Sequence, residues 1–191
     1  MLVRKAARML LAALAVLLPL TALQWAGQAT ATAAPVPAAA RTVYYDASGS
    51  QEFKAAVDEG AAAWNAAVHN VQLVPASGGA RATVTVLADD GWPRTLPDGF
   101  GAGTVYMGRE AVNDGFYPPR IAAHEFGHIL GLPDNRNGRC DYLMSGHSSP
   151  VSCTTTAPHP TEAAQVERNA TAGFTALTPG KEVWYDGCFA F

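Results

Sequence analysis

The chain has 191 residues, 49% of them hydrophobic, and 13 Lys and Arg against 16 Asp and Glu give a net charge of −3. Four of the cations (Arg4, Lys5, Arg8, Arg41) precede Thr42 while every acid follows it, so the remainder carries nine against 16, about −7. That remainder has no basic run or patch, which excludes nucleic acid and anionic membrane surfaces as partners.

Residues 1–23, MLVRKAARMLLAALAVLLPLTAL, join a basic start to an apolar run from Met9 to Leu23. The run is shorter than the roughly 20 helical positions that a bilayer requires. Small residues follow, with cleavage sites available at Gly27-Gln28-Ala29, Ala29-Thr30-Ala31 and Ala31-Thr32-Ala33. This layout predicts a secretory signal peptide over about 1–33 rather than a membrane anchor, and hence a secreted, extracellular protein. Residues 34–41 read as a short pro-segment or linker, and a single domain is expected over 42–173.

Within that domain, TVYY (42–45) predicts a short strand. From Gln51 to Val68 the positions Phe53, Val57, Gly60, Ala61, Trp64 and Val68 recur at helical spacing, with charges between them. VQLV (71–74) and ATVTVLA (82–88) predict two more strands, the second alternating Val84 and Val86 with Thr83 and Thr85. Residues 89–103, rich in Gly, Pro and Asp, predict a loop, and TVYM (104–107) a further strand. Pro118-Pro119 should precede a helix that carries AAHEFGHILGLPD (122–134). The chain beyond Gly131 reads as loop until a last amphipathic helix over Pro160–Ala172. The pattern is α+β, a small sheet followed by helix and loop.

Four residues of α-helix turn the chain by about 400° and advance it roughly 6 Å. His124 and His128 therefore project from one face and can share a metal ion, with Glu125 angled toward a water on its open side. The competing reading is a helix with a surface His-Glu pair and one core histidine. Gly131 lies three residues beyond His128 and can take the left-handed turn that ends the helix, after which Asp134 can swing back toward the metal. Asp134 could instead simply terminate the helix. Cys140 and Cys153 enclose a loop that a disulfide could close, an arrangement favoured by export over two free thiols; Cys188 is the odd one out.

The string H-E-F-G-H-I-L-G-L-P-D resembles the metzincin zinc-protease pattern H-E-x-x-H-x-x-G-x-x-H, with aspartate at the third ligand place. Together with Leu132-Pro133-Asp134 and the Tyr142-Leu143-Met144-Ser145-Gly146 segment, it is similar to the snapalysin-type small neutral proteases secreted by actinomycetes. That resemblance implies a metzincin-like fold: a small twisted mixed sheet, a zinc-site helix, then a loop-rich part with a methionine turn at Met144 and a terminal helix. It implies one catalytic Zn²⁺ on His124, His128 and Asp134, Glu125 as general base, Gly131 and Met144 as structural support, and a Cys140–Cys153 disulfide. A monomeric zinc endopeptidase acting on protein or peptide is expected, with substrate extended along an edge strand, for which Gly103–Met107 is the candidate. A preference for an aromatic residue after the scissile bond is also implied. Two neutral imidazoles and a carboxylate leave the zinc site formally at +1, so activity should peak near neutral pH.

The sequence departs from the resemblance in three places. The calcium site that such proteases carry before the zinc helix is not matched by Phe116-Tyr117-Pro118-Pro119-Arg120, and Asp114 is out of step. Arg136 stands where a tyrosine would assist at the metal; it reads either as an oxyanion or substrate ligand or as a solvated surface residue. Residues 174–191 form a C-terminal extension with no assigned role. His69, His147 and His159 lack ligand spacing. A non-catalytic, zinc-stabilised secreted binding domain is the alternative function, and a serine hydrolase is excluded because no G-x-S-x-G occurs.

Overall fold

The alternation of β1 (Arg41–Gly49) decides how the rest of the chain is laid down. Val43, Tyr45 and Ala47 turn to one face and are buried there, while Thr42 and Asp46 on the other face are exposed. The computed structural model describes residues 39–172. A single 3-10 turn, Gln51–Phe53, leads from β1 into α1 (Lys54–Ala67). Helix α1 then returns the chain to β2 (Val71–Pro75), which pairs parallel with β1, as a crossover must. β3 (Val84–Asp89) pairs parallel on the other side of β1, and β5 (Gly103–Gly108) parallel to β3. β4 (Arg94–Pro97) is antiparallel to β5, giving the order β2-β1-β3-β5-β4.

A short helix α2 (Arg109–Asn113) follows, then α3 (Pro118–Ile129), a 3-10 segment Leu143–Ser148, and α4 (Pro160–Thr171). Helices α1 and α3 lie over the face to which Tyr45 points. Its ring meets Phe126 edge-on at 5.4 Å and its hydroxyl donates to Asp58 at 2.8 Å, burial and that bond together raising the phenol's pKa. The two helices are locked by Trp64, fully buried, whose Nε1–H donates to Ala123 O at 2.7 Å. Gly60 makes this approach possible: a Cβ there would sit 2.6 Å from Ala123 N and 2.9 Å from Ala122 C. The expected α+β class holds.

Three expectations need correcting. Residues 89–103 are not all loop, since Arg94–Pro97 forms β4. A strand of four residues ending in proline leaves little signal, and proline is tolerated because this strand lies at the margin of the sheet. In consequence Gly103–Met107 is not an edge strand: it lies within β5, between β3 and β4. Pro118 and Pro119 also fall inside the first turn of α3 rather than before it, where their missing N–H groups are not needed. The expected leader 1–33 and the tail 174–191 lie outside the described residues.

Candidate metal centre

Every residue of α3 from Pro119 to Ile129 is buried, so the helix can hold polar groups only if each finds a partner. His124 Nδ1 lies 3.0 Å from Leu143 O and His128 Nδ1 lies 2.8 Å from Leu132 O. A carbonyl only accepts, so both Nδ1 atoms carry a proton, and Nε2 is the nitrogen that each imidazole would offer to a metal. Those two Nε2 atoms face one another at 3.1 Å.

The return of Asp134 to this point is built by Gly131, whose φ of 79° turns the chain so that Gly131 N–H bonds His128 O and Leu132 N–H bonds Gly127 O, each at 2.9 Å. Asp134 Oδ1 then sits 3.3 Å from His124 Nε2 and 3.6 Å from His128 Nε2. One donor atom from each of the three residues falls within 4.8 Å of the others, a group that could hold a metal ion. Two lone pairs and a carboxylate oxygen converging at these separations suit a cation between them.

The floor beneath this point is the 3-10 segment with Met144, which is 1% exposed and packs against Gly127 of α3. Its backbone is fixed by Glu162 of α4, whose carboxylate accepts from Leu143 N at 3.0 Å, Met144 N at 2.9 Å and His159 N at 2.7 Å. Leu143 thus links Glu162 on one side to His124 on the other. Asn135 N–H bonds Met144 O at 2.6 Å, which ties the segment carrying Asp134 to the same floor. Arg120, 6% exposed, donates to Cys140 O, Thr155 O, Tyr142 O and Ser145 Oγ, and the Cys140–Cys153 disulfide closes this loop.

Glu125 has no exposed surface, and Thr95 Oγ1 of β4 donates to its Oε2 at 2.7 Å. Beside His124 lies an open cleft lined by Phe116, Tyr117, Ile121, Leu143 and Gly146 with Arg120. On β4, Arg94 pairs with Asp89 at 2.9 Å, stacks over Tyr106, and holds the Asp89 carboxyl below the usual range.

The family model described as the Streptomyces extracellular neutral proteinase (M7) family matches residues 40–173. The chain belongs to that family. Its relatives include the extracellular small neutral protease of Streptomyces lividans, 38% identical over 142 residues, covering 74% of this chain and 62% of the relative. The protein of the same name from Streptomyces caespitosus is 37% identical over 125 residues, 65% of this chain and 93% of the relative. This M7 member therefore spans less than two thirds of the length of the first of these. Among the described residues, no helix is long and apolar enough to cross a membrane.

The residues singled out in the M7 member's sequence mostly converge: His124, His128 and Asp134 meet at one point, Glu125 adjoins them, Gly131 makes the turn and Met144 lies beneath. Arg136 is half-exposed, with Nη2 3.3 Å from Asp134 Oδ2. His69 lies exposed beside Glu167, while His159 caps α4 and stacks on Tyr142 at 4.0 Å. His147 lies in the 3-10 segment after Gly146. Thr95, Arg120 and Glu162 were missed. Only Glu162 left a signal, since a glutamate three residues into a helix that opens on proline has the form of a capping box.

Proposed function

We propose that the chain is a secreted zinc endopeptidase that hydrolyses peptide bonds in proteins. The observation that carries this reading is the meeting of His124, His128 and Asp134 at one point with Glu125 alongside. Three ligands suit zinc in a catalytic site, which keeps a further position open. The names of the relatives, extracellular small neutral proteases, support both the activity and the extracellular location. We assign residues 1–33 to a signal peptide, 34–41 to a pro-segment or linker, 42–173 to the protease domain, and 174–191 to an extension.

Zinc, when bound, supplies Lewis acidity toward a water and toward the scissile carbonyl. Glu125 takes the proton of that water as its oxygen attacks the carbonyl carbon, and then delivers the proton to the leaving amine. Leu143 O and Leu132 O keep His124 and His128 in the tautomer that ligates. The substrate lies extended along β4, the strand at the sheet margin beside α3. An aromatic residue following the scissile bond suits the cleft beside His124, whose walls include Phe116, Tyr117, Ile121 and Leu143. The partner of the monomer is a protein or peptide substrate, and activity peaks near neutral pH.

The test is zinc content and casein cleavage of the mature domain beside Glu125→Gln. One zinc per chain in both, with cleavage lost about 10²–10⁴-fold in the variant, is the expected result. Zinc in both proteins with cleavage by neither would instead indicate a zinc-stabilised binding domain.

A further inference from the structure

We propose that Thr95 is the positioning residue of the general base, fixing the direction of the Glu125 carboxylate through its hydroxyl. The proposal rests on the peptidase reading above. Thr95 is the second residue of β4 and, although its strand lies at the sheet margin, it has no exposed surface. Packing alone does not ask for a hydroxyl there, since valine has the same branched shape and suits a strand as well. Burying a hydroxyl is unfavourable unless it is hydrogen-bonded. Its partners are therefore the reason for its presence, and both belong to one residue: Glu125 Oε2 at 2.7 Å and Glu125 O at 3.2 Å.

Thr95 donates to Oε2 at a length typical of a charge-assisted bond, which fixes the direction of the Glu125 carboxylate. With that oxygen held, the carboxylate keeps its orientation while it takes the water's proton and passes it to the amine. Valine cannot donate, and the carboxylate would then lose its fixed orientation.

The experiment compares Thr95→Val and Thr95→Ser with the parent, reading kcat and KM on a peptide, zinc affinity by chelator competition, and Tm. Thr95→Val should lower kcat about 10–100-fold while KM and zinc affinity stay within about twofold; Thr95→Ser should keep kcat within about threefold of the parent. A packing role reverses this order, because serine loses a methyl that valine keeps. In a Glu125→Gln background Thr95→Val should have no further effect on kcat. If Thr95→Val does not accumulate, the Thr95→Ser and Thr95→Ala pair, which differ only in the hydroxyl, makes the same comparison. Parent-level kcat in Thr95→Val, a serine variant as slow as the valine one, or an undiminished effect in Glu125→Gln would each overturn the proposal. A parent that carries zinc but cleaves nothing would overturn the peptidase reading and this one together, whereas an active parent with an unaffected Thr95→Val overturns this one alone.

Discussion

Gly60 sits mid-helix in α1, and helix propensity alone says that Gly60→Ala should stabilise the protein by about 0.8–1 kcal/mol. Packing says the opposite. The added Cβ would lie 2.6 Å from Ala123 N and 2.9 Å from Ala122 C, and ordinary contact begins near 3.4 Å. Both obstacles are backbone atoms of α3, so no side-chain rotation relieves them, and the helices must part by several tenths of an ångström. Overpacking of this kind costs about 1–3 kcal/mol, and separation also weakens the Trp64–Ala123 hydrogen bond by some part of its roughly 1 kcal/mol. The net expectation is a loss of about 1–2 kcal/mol. For a domain of this size that lowers Tm by roughly 4–8 °C. Thermal unfolding followed by circular dichroism, with zinc saturating, measures it. Because Ala123 adjoins His124, zinc affinity should weaken as well. A variant with Tm equal to or above the parent's would refute the reasoning, since propensity would then outweigh the helix contact.

Glu162→Ala leaves Leu143, Met144 and His159 N–H groups without their carboxylate, and at about 1–3 kcal/mol for each group left unsatisfied the domain should lose about 3–5 kcal/mol, read as a fall in urea midpoint. Asp134→Ala removes one of three ligands and should weaken zinc binding more than about 100-fold by chelator competition, beyond the 10–100-fold typical of outer-shell changes. At Glu167, burial pushes the carboxyl pKa up, but N–H groups of His69 and Asn70 outweigh it and hold the value below the usual range. The stability this gives is present above the unfolded value near 4.3 and is lost as pH falls through the lower folded value. Glu167→Gln should therefore destabilise by about 1 kcal/mol at pH 7, measured by urea unfolding, with the difference fading toward pH 3.

The grouping of His124, His128 and Asp134 was legible because these residues are sequence neighbours whose spacing has a mechanical meaning: a four-residue step from His124 to His128 on a helix, then a glycine that turns. The parts that were not legible act across the chain. Thr95 meets Glu125 from thirty residues away, on a strand of four residues in a stretch whose Gly, Pro and Asp content reads as loop. Missing β4 also displaced the sheet margin by one strand, so that the β5 segment was taken for an edge. Arg120 read as part of a departure from a calcium-binding pattern, whereas in the fold its guanidinium gathers the carbonyls of the disulfide loop. Periodicity reports which face of an element is buried; it does not report which distant element supplies the polar partner.

The dependence of the methionine floor on α4 bears on when the site comes into being. A ribosome makes His124, His128 and Asp134 before it makes Glu162, and at about 5–20 residues per second the delay is a few seconds. Until α4 docks, the Leu143 peptide has no carboxylate to hold it, and His124 no fixed carbonyl to set its tautomer. The two histidines on the young helix are then only side chains, and the binding point is complete only once α4 has docked.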